Sequence, residues 1–370
     1  MNLRIRFRPS RTAALPVSAA VAVAIGVLAF VSPGAVAHAV AGGPAPANHQ
    51  LPCDIYKADG TPCVGAYSTV RALYTTYDGP LYQVTRASDG ASIGISPLRP
   101  GDVANAAPQQ HFCVGTSCVI TEVYDQSPQH NNLTIEGPGT QGGQDVGAVA
   151  DALPVNLAGH RVYGIKITPG TGYRDDATTG VAVNGEPEGM YMVTSSEFVN
   201  NGCCMDFGNA ETHNNDPGNG HMDAVTYSTR CVRFSPCYGT GPWVQADLEN
   251  GLFQSNMGYS ENTLNTGLNL PFVTALLKNN GQNYFALKVG NAQSGDLTTN
   301  YAGLLPTIQG GGYTPMQQEG AIVLGTGGDN SNKGTGYFFE GVMTAGLPSD
   351  TADSTVQANI VAAGYGKADD

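Results

Sequence analysis

The sequence predicts an all-β protein built as a large antiparallel sandwich. Only 13% of its 370 residues are charged and 49 are glycine, a composition that disfavours long amphipathic helices exposed to solvent. Short runs rich in β-branched and aromatic residues recur along the chain, separated by Gly, Asn, Asp and Pro. No periodic repeat or internal linker divides them, so a single domain is expected over 51–366. That many strands in one domain fold as sheet on sheet, one face covered and the other free to form a groove.

The chain opens with Arg4, Arg6, Arg8 and Arg11, then an apolar run over 13–31, then Pro33-Gly34 and Ala35-Val36-Ala37. That order describes a secretory signal peptide with a small-residue cleavage site over 1–37. The apolar run is nearly long enough to span a membrane, but no basic stop-transfer flank follows it. The arginines are never adjacent, which argues against the twin-arginine route. Loss of the four arginines would take the formal charge from −13 to −17, and so acidic a chain is unsuited to nucleic acid or an anionic membrane. Residues 38–50 read as a flexible lead-in and 367–370 as a tail.

Strands are expected at 81–86, 118–124, 162–167, 189–194, 222–227, 243–248, 272–277, 284–289, 321–325 and 337–343. A short helix capped by Ser68 is expected over 68–74 and another over 355–363, both as packing elements. The eight cysteines of an exported chain point to disulfides. They cluster as Cys53/Cys63, Cys113/Cys118, Cys203/Cys204 and Cys231/Cys237, so local pairing is the simplest arrangement. There is no C-x-x-C or H-E-x-x-H, which argues against a dedicated zinc site, and no metal or cofactor is expected. Cys203 and Cys204 leave two arrangements open at this point. A bond between neighbours would present a rigid sulfur surface, whereas bonds to distant cysteines such as Cys231 or Cys237 would be plain staples.

The stretch G-P-W-V-Q-A-D-L-E-N-G-L-F, 241–253, carries the strongest chemical signal. On a strand, Val244, Ala246 and Leu248 would face a core while Trp243, Gln245, Asp247 and Glu249 share the other face. An indole beside carboxyl groups suits a sugar, as a platform for its C–H faces and acceptors for its hydroxyls. Asp329, in L-G-T-G-G-D-N-S-N, lies on a Gly-rich loop just past an apolar strand, where it is either a reacting acid or a turn aspartate. Glu319 and Glu340 are rival acids, the second placed for a structural role. Gly137-Pro-Gly139-T-Q-Gly142 imitates a dinucleotide-binding string, but no clear helix follows it and a surface loop is expected. Asn132-Leu-Thr134 fits a glycosylation sequon. Glycoside hydrolysis needs two carboxyl groups across the scissile bond, and only the fold can bring Glu249 and Asp329 together.

Ten co-linear strings resemble the catalytic domain of glycoside hydrolase family 54 α-L-arabinofuranosidases. Among them are L-P-C-D-I-Y, R-A-L-Y-T-T-Y-D-G-P-L-Y-Q, P-G-T-G-Y-R, C-C-M-D-F-G-N-A-E-T, G-H-M-D-A, G-P-W-V-Q-A-D-L-E-N-G-L-F and E-G-A-I-V-L-G-T-G-G-D-N-S-N. The resemblance implies a disulfide-stapled concanavalin-like sandwich of jelly-roll type and a retaining mechanism, with Glu249 as nucleophile and Asp329 as general acid/base. It implies a Cys203–Cys204 vicinal disulfide facing a Trp243 platform, with Asp247, Asn250 and Gly328 as further sugar contacts. The expected activity is exo-acting release of terminal arabinofuranose from arabinan or arabinoxylan by a secreted monomer.

Two departures stand out. Cys231 and Cys237 have no counterpart in the family pattern, and the chain stops at G-Y-G-K-A-D-D, where relatives often continue into an arabinose-binding β-trefoil. A lectin-like sandwich or a glycosidase of other specificity is the alternative expectation, and the acid pair Glu249/Asp329 argues against the lectin.

Overall fold

The structure is a computed structural model that describes residues 50–232, 235–256, 259–308 and 311–366. The expected signal peptide, the lead-in as far as residue 49 and the tail lie outside these residues. Two antiparallel sheets dominate. One has six strands in the order Cys63–Ser68, Glu340–Ala345, Glu188–Thr194, Val273–Asn279, Tyr284–Asn291 and Thr298–Leu304. The other has ten, in the order Leu252–Phe253, Trp243–Asp247, Asp223–Ser228, Asp206–Ala210, Ala321–Leu324, Tyr173–Asp175, Leu133–Ile135, Cys118–Val123, Tyr82–Arg86 and Ser92–Ile95.

Alternating side chains from both sheets build the core between them. Val244, Ala246 and Leu248 enter it as the strand pattern requires. Phe207 of the ten-stranded sheet packs edge-on to Tyr67 and tilted against Phe338. Both faces of the strand Trp243–Asp247 are covered, however, so its outer face is a buried polar layer.

The sequence expectation differs from the fold at identifiable points. The run 162–167 is two strands, His160–Tyr163 and Ile165–Ile167, separated at Gly164, where a Cβ would press into the Phe339 ring and Leu153. The run 337–343 likewise divides into Gly336–Phe338 and Glu340–Ala345. Ser68 does accept the amides of Val70 and Arg71, yet no helix follows. The side chain of Arg71 is drawn inward to a bidentate pair with Glu340, at 2.5 and 2.7 Å. Glu340 also accepts from the hydroxyls of Tyr191 and Tyr365, so this buried acid is structural. The last helix begins earlier than expected, as Asp350–Ala363. Ser349 caps it through the amide of Ala352, and Lys278 and Lys288 bind Asp350 and Asp353 in its first turn. A helix over Pro52–Asp59, entered through a proline at its first position, escaped the strand-dominated pattern.

All four cysteine pairs close locally: Cys53–Cys63, Cys113–Cys118, Cys203–Cys204 and Cys231–Cys237. The sequon asparagine is half-buried and its side chain is engaged within the protein. Asn132 Oδ1 accepts the amide of Asp125 at 3.0 Å, and its Nδ2 donates to Glu122 at 3.0 Å.

Candidate active site

A cavity of about 390 Å³ opens where the strand Trp243–Asp247 ends beside the loop that follows Ala321–Leu324. That size suits one sugar ring with room for its linkage. Cys203, Cys204, Asp247, Glu249, Asn250, Gly328 and Asp329 all line it, so the fold gathers seven of the eight expected site residues.

Trp243 is the exception. It shares a strand face with Asp247 but lies four residues away, ~13 Å along an extended chain. Its ring is buried against Gly241, and Nε1 donates to the carbonyl of Tyr238 at 2.8 Å. The expected platform is a packing residue, and no tryptophan lines the cavity.

Glu249 is placed by a turn, because the strand stops at Asp247. Its φ of 64° is left-handed, which costs a non-glycine residue about 1–3 kcal/mol. Hydrogen bonds hold it there. The carboxylate accepts the amides of Gly218 at 2.6 Å, Asn219 at 2.8 Å and His221 at 2.8 Å, while its own amide donates to Asp247 Oδ1 at 3.1 Å. Burial alone would raise its pKa. The hydrogen bonds from Asp216 and these three amides outweigh burial and hold Glu249 below the ordinary glutamate value. Asn250 Nδ2 donates to the Gly218 carbonyl, bracing the same loop. Glu319, one of the rival acids, accepts from His221 Nδ1 at 2.6 Å and from Thr212, so it orients the loop that binds Glu249.

Asp329 is held by a different set of contacts. Its Oδ1 accepts the amide of Ser331 at 3.0 Å and the Ser331 hydroxyl. The G-P-G-T-Q-G loop packs directly beneath: Gln141 donates its amide to the Asp329 carbonyl at 3.1 Å, and Asn330 Nδ2 donates to the carbonyls of Gly137 and Gly143, both at 2.7 Å. The string that imitates a nucleotide motif is therefore a brace for Asp329. The vicinal cysteines, joined by a cis peptide, are tied to the same loop: Cys204 donates its amide to the Ser331 carbonyl at 2.6 Å, and Lys333 donates to the Cys203 carbonyl at 2.8 Å.

Three acids and one arginine escaped the sequence reading. Asp206 is fully buried beside Asp247. Burial and the proximity of the two carboxyl groups keep a proton on this pair well above the ordinary aspartate range. Glu211 and Asp216 bring carboxyl oxygens within 4.8 Å of Glu249. Arg174, buried, donates from Nη1 to the Gly328 carbonyl at 2.8 Å and from Nη2 to the Glu211 carbonyl. The strings C-C-M-D-F-G-N-A-E-T and P-G-T-G-Y-R contain Asp206, Glu211 and Arg174, but nothing in their spacing reveals that Glu211 lines the cavity or that Asp206 and Arg174 contact residues that do. A pocket dense in carboxyl groups, with one acid held ionised and others favouring the proton, is equipped for acid–base chemistry on a neutral polyhydroxyl ligand.

Residues 52–366 match the sequence family described as alpha-L-arabinofuranosidase B, catalytic. The chain is 51% identical over 319 residues to the alpha-L-arabinofuranosidase B of Emericella nidulans, covering 85% of this chain and 62% of that protein. It is 52% identical over 320 residues to an alpha-L-arabinofuranosidase of Hypocrea jecorina, covering 85% and 63%. It thus spans less than two thirds of the length of these relatives. A crystal structure of an arabinofuranosidase complexed with arabinofuranosyl-alpha-1,2-xylobiose superposes with a TM-score of 0.82 at 46% identity, over 85% of this chain and 66% of that one. A family 54 enzyme soaked with a cyclic sulfate inhibitor gives 0.81, with the same identity and coverage.

Proposed function

Because the chain belongs to the alpha-L-arabinofuranosidase B catalytic family of glycoside hydrolase family 54, we propose that it is a retaining α-L-arabinofuranosidase that removes terminal arabinofuranosyl residues. The observation that carries this reading is the different treatment of two carboxyl groups that line one cavity. Glu249 is kept ionised by backbone amides, and Asp329 sits on a braced loop with Oδ1 already satisfied.

In the first half-reaction Glu249 attacks the anomeric carbon as the bond to the leaving oxygen breaks. Asp329 gives its proton to that oxygen. Ser331 occupies Oδ1, which leaves Oδ2 for the transfer. In the second half Asp329 takes a proton from water, the water oxygen bonds to the anomeric carbon, and the electron pair returns to Glu249 with net retention. Amide donors that stabilise the Glu249 carboxylate also make it a good leaving group in that second half.

Asp247, carrying or sharing a proton with Asp206, offers both donor and acceptor to sugar hydroxyls. The Cys203–Cys204 sulfurs supply a polarisable apolar wall, with Cys204 Sγ 3.6 Å from Asp247 Oδ2. The substrate class is arabinofuranose-substituted hemicellulose, a reading supported by the relative bound to an arabinofuranosyl xylobiose. Four disulfides and the leader-like 1–37 favour secretion.

The test is hydrolysis of an aryl α-L-arabinofuranoside by wild type, Glu249→Gln and Asp329→Asn, with the anomeric configuration of the first product followed by NMR. Activity with retention in wild type and at least a thousandfold loss in Glu249→Gln, on the order of what removal of a catalytic nucleophile costs, is expected. An inverted product, or Glu249→Gln near wild type, would refute the assignment.

A further inference from the structure

Glu211 lies just past the strand Asp206–Ala210, 2% exposed, and none of the steps above uses it. Its position is tightly determined. Arg174 Nη2 holds its backbone carbonyl, while the same guanidinium holds the Gly328 carbonyl. The carboxyl group lies so close to Gly328 that any Cβ there would overlap Oε2, which explains a glycine immediately before Asp329. On the other side, a carboxyl oxygen lies within 4.8 Å of one on Glu249. Oε2 is wholly buried and has no protein partner among the described residues. A buried carboxyl group in that position needs either a counter-charge or a proton. Arg174, whose guanidinium holds the Glu211 backbone, is committed to backbone carbonyls, to Asp176 and, at 3.7 Å, to Glu136. Burial, with the charge of Glu249 added, lifts Glu211 to about 9.

We propose that Glu211 is a positioning residue that stays a neutral carboxylic acid and donates its O–H to the Glu249 carboxylate. The proposal rests on the reading of Glu249 as nucleophile. Its consequence follows from charge. While Glu249 is ionised, the hydrogen bond is charge-assisted; once the C–O bond to the anomeric carbon forms, Glu249 is a neutral ester and the same bond weakens. When water attacks and the ester C–O bond breaks, the electron pair returns to Glu249 and the strong hydrogen bond is regained. Glu211 keeps its proton throughout, so the proton balance between Asp329, leaving group and water is unchanged. Such a donor assists release of Glu249 more than attack by it. The second half-reaction is therefore the step it accelerates.

Glu211→Met removes the donor at similar size, and Glu211→Gln restores a neutral N–H donor. Both are assayed with an aryl α-L-arabinofuranoside by steady-state and rapid-mixing kinetics, with thermal melts to establish folding. For Glu211→Met, kcat is expected to fall about 10- to 100-fold, the range for a hydrogen bond to a charged group. The fall in kcat/KM should be smaller, and a burst of aryl alcohol should appear in the first turnover. Glu211→Gln should recover most of the lost kcat and lose the burst. Equal falls in kcat and kcat/KM with no burst would overturn the proposal, as would a folded Glu211→Gln no faster than Glu211→Met. If Glu211→Met does not fold, Glu211→Gln decides alone: folded with kcat below a tenth of wild type, it contradicts a neutral donor. An inactive or inverting wild type would instead remove the underlying reading, and that result is seen before any variant is compared.

Discussion

Arg174 donates a hydrogen bond from Nη1 to the backbone carbonyl of Gly328 at 2.8 Å, one residue before Asp329, the proposed general acid. Its other terminal nitrogen holds Glu211, so one planar group spans the two loops that flank the cavity. Lysine has a point charge with no fork and cannot hold both. Arg174→Lys is therefore expected to lower kcat by about 100-fold, the cost of roughly 1 Å of misplacement in a catalytic group, with a smaller change in KM. Steady-state kinetics on the aryl substrate check it. Wild-type kcat would mean that Asp329 is positioned without the clamp.

A buried ion pair remote from the cavity provides the contrast. Arg71→Met strands Glu340, whose side chain is fully buried and left with only two tyrosine hydroxyls. Losing one partner of such a pair costs about 3–5 kcal/mol. Denaturant unfolding should show that loss while KM of the remaining folded protein stays at the wild-type value. A changed KM would connect this pair to the cavity.

The vicinal disulfide lines the cavity, so its effect should appear in substrate affinity. Replacing both Cys203 and Cys204 by alanine removes two sulfurs from the wall facing Asp247. Loss of that apolar surface, about 1–2 kcal/mol, predicts a KM higher by roughly tenfold. Measurement of KM against melting temperature separates this outcome from general loosening, in which stability falls and KM does not.

Stability should depend on pH in a direction set by buried carboxyl groups. Burial pushes Glu211 up to about 9 and Glu136 up to about 8, the latter against the pull of Arg174. Both folded-state values exceed those of an unfolded chain, near 4.3. Their contribution is then fully present below about pH 4 and is lost as pH rises through 8 to 9. Asp350 has the opposite sign. Hydrogen bonds from Lys278 and Lys288 hold it down to about 2, so its contribution is present above about pH 4 and lost as pH falls toward 2. The melting temperature should therefore peak on the acid side of neutrality and decline from pH 5 to 9. A flat or rising profile over that interval would contradict the burial of these groups as neutral acids.

What the sequence revealed depended on whether a signal was local. Most strand positions and three of the four disulfides are local, since a two-residue period and cysteines at most ten positions apart need no knowledge of the rest of the chain, whereas spacing leaves Cys203–Cys204 open and only the family resemblance implies that bond. Trp243 was misplaced because alternation specifies a face but not the distance along it, and a site one sugar wide occupies only the strand's end. Glu211, Asp206 and Arg174 were illegible for another reason. Their properties come from burial and from partners more than thirty residues away, such as Gly328 for Arg174. The G-P-G-T-Q-G loop shows the same limit: its glycines admit the close approach of Asp329 and Asn330, which only the folded chain brings to them.

A covalent bond between Glu249 and the sugar can be trapped and mapped. An activated arabinofuranoside whose intermediate turns over slowly is incubated with the Asp329→Asn variant, which lacks the base for the second half-reaction. The protein is then quenched in acid, digested and mapped by mass spectrometry. One added pentosyl unit is expected on the peptide containing Glu249, and on that residue alone. A pentosyl unit on Glu211, Asp216 or Asp247, or none at all with a product of inverted configuration, would contradict it.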